Sequence, residues 1–107
     1  MAVAVLNRLQ ISRKQYRSMM EDLDLEREPS DALAHVAYFG DDGLRVLDVW
    51  RSEEDWKRFR DERLAPTLQR LNITARPHTE IHEVHNVYTP RGDALTRAGR
   101  SPHPTSE

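Results

Sequence analysis

Two apolar, β-compatible runs separated by four turn residues constrain this chain more than any other feature. Residues 32–39 read ALAHVAYF and residues 44–51 read LRVLDVWR, with Gly40-Asp41-Asp42-Gly43 between them. Glycine and aspartate tolerate the positive φ that tight turns demand, so these segments specify an antiparallel hairpin. Both faces of the hairpin are apolar. Ala34, Val36, Leu47 and Val49 share one parity, and Leu33, Ala37, Phe39, Leu44 and Val46 share the other. A strand pair of this kind requires cover on both faces.

The flanking segments cover one face. Residues 2–9 (AVAVLNRL) read as a first strand. Ser12 and Gln15 stand at capping-box spacing, and Tyr16, Met19, Met20 and Leu23 then follow at i, i+3, i+4 and i+7, one face of a helix. Glu28-Pro29-Ser30-Asp31 is a connection, because the residue before proline is driven out of helical geometry. Ser52 opens a second helix, with Glu53, Glu54 and Asp55 in the first turn where the helix dipole favours them. Its buried stripe is Trp56, Phe59, Leu64, Leu68 and Leu71, and Pro66 predicts a kink or break near Arg63. Residues 78–88 (HTEIHEVHNVY) read as a final strand. Residues 89–107 hold three prolines, two glycines and no large apolar residue beyond Leu95, and read as a flexible tail behind a single domain over 1–88.

The order is β-α-β-β-α-β. It specifies an α+β, ferredoxin-like fold, a four-stranded antiparallel sheet with two helices on one face. The second sheet face needs another partner, and two copies packed sheet to sheet would supply it. A homodimer, the dimeric α/β barrel, is therefore expected. At 107 residues one core stabilises such a domain without much margin, so a partner subunit would help.

Composition removes several classes of function. The formal net charge is -2, which provides no basic field for nucleic acid. There is no cysteine, so disulfides, thiolate metal sites and a cysteine nucleophile are excluded. Residues 2–6 are too short for a signal-peptide core, and no apolar run has the length of a membrane span. A cytoplasmic protein with no membrane partner is expected. Neither a Gly-rich phosphate loop nor a Gly-x-Ser-x-Gly elbow occurs, so nucleotide, flavin and serine-hydrolase chemistry have no support.

The hairpin places one pair of residues that could carry chemistry. If Gly40 and Gly43 close the turn, paired positions sum to 83. Phe39 then faces Leu44, Ala37 faces Val46, and His35 faces Asp48. Opposed residues in an antiparallel pair have Cβ atoms about 4.5–5.5 Å apart. Asp48 would then hold one ring nitrogen of His35 and fix its tautomer, the orienter–base half of a catalytic triad without its nucleophile. The alternative is two buried polar groups satisfying each other inside a sheet. A one-residue slip would send the two side chains to opposite faces. His78, His82 and His85 cannot bind one metal ion together without help from other strands: on a strand His78 and His82 share a face but lie about 13 Å apart, and His85 has the other parity. His85 and Asn86, near the strand end, remain candidates for pocket contact.

The passage DVWRSEEDWKRF (residues 48–59), within the βαββαβ order, resembles the dimeric α/β-barrel superfamily and its antibiotic-biosynthesis monooxygenase-like proteins. The resemblance spans about residues 2–88. It implies a pocket for a small organic ligand, in which Trp50 matches the pocket tryptophan and Trp56 stands at a helix position that often faces it. Val46 stands on the strand where an asparagine would strengthen the monooxygenase reading. Superfamily members include cofactor-free oxygenases, isomerases, cyclases, haem-binding enzymes and proteins of no known activity. Nothing beyond a histidine, His35 or His85, supports haem here, and no cofactor is expected.

The combined expectation is a small cofactor-independent enzyme acting on a hydrophobic or aromatic, polyketide-like molecule by proton abstraction. His35 and Asp48 are its catalytic candidates, and Trp50, Trp56, Tyr16, Met20, Phe39, His85 and Asn86 its substrate-binding candidates. An isomerase or cyclase on the same scaffold, or a non-catalytic ligand-binding or structural dimer, is the alternative.

Overall fold

A computed structural model describes residues 1–99 of the chain. Four strands, β1 (Val3–Leu9), β2 (Ala34–Gly40), β3 (Gly43–Trp50) and β4 (His78–Glu83), form one antiparallel sheet in the order β2-β3-β1-β4. Helix α1 (Arg13–Leu23) connects β1 to β2. Between β3 and β4 run α2 (Glu53–Phe59), a π-helical turn over Arg60–Leu64, and α3 (Ala65–Arg70). This is the ferredoxin-like α+β arrangement expected from the sequence.

Alternation along the strands decides which sheet face meets the helices. On β1, Val3, Val5, Asn7 and Leu9 are buried, while Ala4, Leu6 and Arg8 on the other face are only partly covered. The registers align this buried row with Leu44, Val46, Asp48 and Trp50 on β3, and these with His35, Ala37 and Phe39 on β2. The outer face leaves Val36, Tyr38 and Leu47 exposed. Trp50, Trp56, Leu44 and Val5 are almost wholly enclosed and form the centre of the core with Met19, Leu64 and Leu68.

Local chemistry fixes the helix ends. The hydroxyl of Ser12 accepts from Gln15 N–H at 3.0 Å, and the Ser12 N–H donates back to Gln15 Oε1 at 2.9 Å, the reciprocal capping box. Ser52 caps α2 by accepting from Asp55 N–H at 3.1 Å. The break expected at Pro66 takes the form of the π turn, in which Ala65 N–H bonds to Arg60 O. The apolar stripe explains it: Phe59 and Leu64 are five residues apart, out of step with a three–four rhythm. One i→i+5 turn returns Leu64 to the sheet-facing side.

In the hairpin turn the positive φ, +113°, falls on Gly43, and the aspartates keep negative φ. A Cβ there would stand 2.5 Å from Leu9 O, so adjacent β1 leaves no room for a side chain. Strand β4 ends at Glu83 rather than continuing to 88. Its partner β1 runs out at Val3, and Val84 N–H makes the last bond, to Ala2 O. Within the expected tail, Gly92–Gly99 forms a short helix, α4, with Arg97 bonded to Asp93 and Thr96 to Gly92 O and with no buried residue. The rest of that tail, 100–107, lies outside the described residues.

Gly43→Ala should lower the unfolding free energy by more than about 1 kcal/mol in urea denaturation, because it is both clashing and strained. Gly40→Ala, whose Cβ would meet nothing closer than 3.4 Å, should cost distinctly less.

Candidate functional site

The register of β2 and β3 pairs His35 with Asp48. Their side chains meet on the helix-facing side of the sheet, where His35 Nδ1 lies 2.5 Å from Asp48 Oδ1. A carboxylate only accepts, so Nδ1–H donates and Nε2 becomes the ring's acceptor. The two members differ in exposure: the Asp48 side chain is 8% exposed and that of His35 39%. The sheet order causes this. β3 is an inner strand, so Asp48 lies between Val5 and His35, whereas β2 is an edge strand.

The pair stands on the wall of a partly open cavity of about 150 Å³ between the sheet, α1 and the segment from α2 through the π turn. Strand residues Asn7, Val46 and Trp50, helix residues Tyr16, Met19 and Met20, and Trp56, Phe59 and Leu64 complete most of the wall. The lining is predominantly apolar and aromatic. Trp50, Trp56 and Phe59 pack on one another, with ring centroids 5.2 to 6.4 Å apart. The loop after α1 closes one side through Leu25, Ser30 and Ala32. Arg63, presented by the π turn, ties that loop down by donating to Leu23 O at 2.7 Å and to Pro29 O at 3.3 Å.

Tyr16 is the other acid on this wall. Burial, reinforced by the charge of Asp48, pushes its phenol above the ordinary tyrosine value. The hydroxyl therefore stays protonated at neutral pH and is a donor to anything in the cavity. Asn7 is buried on the same wall and accepts at Oδ1 from the Thr79 hydroxyl at 2.5 Å.

Of the residues singled out by sequence, His35, Asp48, Trp50, Trp56, Tyr16 and Met20 converge on this cavity. Phe39 lies outside it, behind Tyr16, edge-on to that ring at 6.0 Å with the Arg13 guanidinium over its face. His85 and Asn86 are exposed and beyond the end of β4, away from the cavity, because the strand stops at Glu83. Among the described residues no three His, Cys, Asp or Glu side chains gather as a metal site, and no helix is long and apolar enough to cross a membrane. Sequence reasoning missed Asn7, Leu25, Ser30 and Ala32. Asn7 carried a legible signal, a polar residue at the inward parity of an otherwise apolar first strand; the loop residues carried none.

Comparison with known proteins adds to this at the level of fold. No family model matches the sequence, and no curated protein matches it. Among solved structures, a protein of unknown function from Nitrosomonas europaea is similar at a TM-score of 0.64 with 22% identity, over 85% of this chain and 96% of that one. SnoaB, a cofactor-independent oxygenase from Streptomyces nogalater, is similar at 0.57 with 12% identity, over 80% of this chain and 95% of its own. The ActVA-Orf6 monooxygenase of Streptomyces coelicolor, in complex with nanaomycin D, gives 0.54 and 18%, over 83% and 91%. The chain has the fold of these oxygenases. It is the fold that the antibiotic-biosynthesis monooxygenase-like resemblance led one to expect, and it places the cavity between sheet and helices.

The tautomer is directly measurable. In ¹⁵N spectra of the neutral imidazole, His35 should show a protonated Nδ1 and an unprotonated Nε2, and Asp48→Asn should disturb that preference. The opposite tautomer in the unsubstituted protein would contradict the geometry.

Proposed function

We propose that the protein is a cofactor-independent enzyme that takes a proton from a hydrophobic, aromatic small molecule, of the monooxygenase type. The observation that carries this reading is a histidine oriented by a buried carboxylate at the wall of an apolar cavity, with its other ring nitrogen turned acceptor. The imidazole is more than one-third exposed, so it is not sealed inside packed core.

In this mechanism His35 Nε2 accepts a proton from an enolisable C–H or a phenolic O–H, and Asp48 stabilises the imidazolium that results. Tyr16, held protonated, donates to a substrate oxygen on which charge develops. The deprotonated substrate is electron-rich enough to reduce dioxygen by one electron, and the two radicals combine into a peroxide. Loss of water, with the proton returned by His35, leaves one oxygen atom in the product as a carbonyl and places the other in water. A methylene substrate plus dioxygen thus gives ketone plus water, with dioxygen as sole oxidant. Similarity of fold to SnoaB and ActVA-Orf6 supports this class.

The exposed Val36, Tyr38 and Leu47 on the outer sheet face support a homodimer in which a second copy covers them. Leu47→Asp should then convert a dimer to a monomer in analytical ultracentrifugation. A monomeric unsubstituted protein at micromolar concentration would contradict the dimer.

Oxygen uptake with anthrone and hydroquinone substrates tests the reaction. His35→Ala should lower turnover by at least about 100-fold, the usual scale of a lost general base, with dimerisation intact. Retained turnover would overturn the assignment. Product formation without oxygen uptake would shift it to an isomerase or cyclase using the same base.

A further inference from the structure

The outer face of the sheet carries one cationic row. Arg8 on β1 stands directly opposite Arg45 on β3 and, on its other side, directly opposite His78 on β4. Opposed residues in an antiparallel pair have Cβ atoms about 4.5–5.5 Å apart, and like charges so placed repel. The Nε atoms of Arg8 and Arg45 are both buried without a hydrogen-bond partner among the described residues, so each guanidinium has given up part of its hydration. Asp42, in the hairpin turn, answers the second of them, with its oxygens 3.0 and 3.2 Å from Arg45 Nη2. That hydrogen bond is what chiefly draws the Asp42 carboxyl below its ordinary value, and Arg8 contributes the smallest share.

Beside Arg8 lies a second, partly open cavity of about 280 Å³, separate from the one that holds His35. Arg8 and His78 line it from the sheet, Arg76 from the α3–β4 connection and Asp42 from the turn, and Leu9, Gln10 and Ala75 complete the wall. Among the described residues Arg8, Arg76 and His78 form no salt bridge and no side-chain hydrogen bond. Three basic side chains thus meet one space from three elements, in a chain whose formal net charge is -2. The cavity reaches past the end of the sheet through Gln10 and Arg76. Val36 and Leu47, on which the proposed dimer rests, occupy the next row of the sheet, and Tyr38 is two strands away from Arg8. A second copy seated on those residues need not close this end.

We propose that this second cavity binds the phosphoryl group of a small organic phosphate, with Arg8, Arg76 and His78 donating to its oxygens. Arginine meets oxyanions with a planar fork of N–H donors and keeps its charge at any working pH. A planar carboxylate offers two oxygens and one charge. A phosphate monoester offers three free oxygens and about two charges, which suits three basic groups placed on β1, on β4 and on the connection before it. The volume approaches the roughly 300 Å³ at which sites for organic ligands begin, so Leu9 and Ala75 are left to meet the organic remainder. The site binds and carries no chemical step, and it is independent of the reaction proposed at His35.

Titration calorimetry of the full chain tests this, with glucose 6-phosphate as the probe and gluconate as a carboxylate of similar size. Expected is saturable binding of glucose 6-phosphate, with gluconate weaker by at least about tenfold. Arg8→Gln and Arg76→Gln should each weaken the phosphate by at least about tenfold, the scale of one lost hydrogen bond to a charged group. Arg97→Gln, on α4 and not on the cavity wall, should leave the affinity unchanged. Arg76 is exposed on a connection, so its variant decides the matter even if Arg8→Gln does not fold. No binding of glucose 6-phosphate at millimolar concentration would overturn the proposal, as would equal binding of gluconate or an affinity unmoved by both arginine variants. Loss of a dimer in Arg76→Gln, with no phosphate bound by the unsubstituted protein, would overturn it by assigning these cations to a second copy. The reading of His35 fails by a different result, turnover retained in His35→Ala.

Discussion

A carboxylate on the inner face of a small apolar sheet has to be satisfied, and the Asp48–His35 contact is how this fold does it. Asp48 is 6% exposed. Its cross-strand neighbour on β1 is Val5, which offers nothing polar in a side chain, so the partner has to come from β2. An unpaired buried charge would cost several kcal/mol or be neutralised. The partner is present only because the β2–β3 hairpin holds one register. A slip by one residue would leave Asp48 opposite Ala34 or Val36 and send His35 to the outer face. Gly43, in a conformation that other residues adopt only with strain, terminates the turn and fixes that register. Turn, ladder and dyad are thus one constraint.

The cavity follows from how the helices are set above this pair. The π turn lets one helical segment keep Trp56, Phe59 and Leu64 on the sheet side despite their irregular spacing. It also presents Arg63 to the carbonyls that close the loop beside α1. Asp22 on α1 adds a second tie, accepting from the buried Thr67 hydroxyl at 2.6 Å and from Arg70 of α3. These hydrogen bonds draw the Asp22 carboxyl below its ordinary value. The helical layer is therefore pinned at its edges, and the space left between its aromatic residues and the sheet is where a ligand can meet the imidazole.

Much of this was legible in the sequence, for definable reasons. Period-two alternation and the Gly-Asp-Asp-Gly turn were sufficient to give the pairing of His35 with Asp48, since register in a hairpin is set by its turn and its buried face. Ser12 with Gln15, and Ser52 with Asp55, marked helix starts by chemistry that acts within four residues. Where long-range geometry decides, the sequence was silent or misleading. The end of β4 depends on where β1 begins, so residues 84–88, although strand-like, leave the sheet and take His85 and Asn86 away from the cavity. Phe39 has the correct parity but sits behind Tyr16, which no spacing rule reveals. The contributions of Leu25, Ser30 and Ala32 depend on loop anchoring by Arg63, more than 30 residues further along the chain.

The central claim is that Asp48 acts through His35 and not independently of it. A double-substitution cycle on kcat/KM with His35→Gln, Asp48→Asn and the pair, using the best aromatic substrate from the oxygen-uptake panel, tests this most directly. Expected is a large loss for each single variant and no further loss when Asp48→Asn is added to His35→Gln, since the aspartate then has no base left to orient. Losses that simply multiply in the double variant would contradict the dyad and return the pair to a structural role.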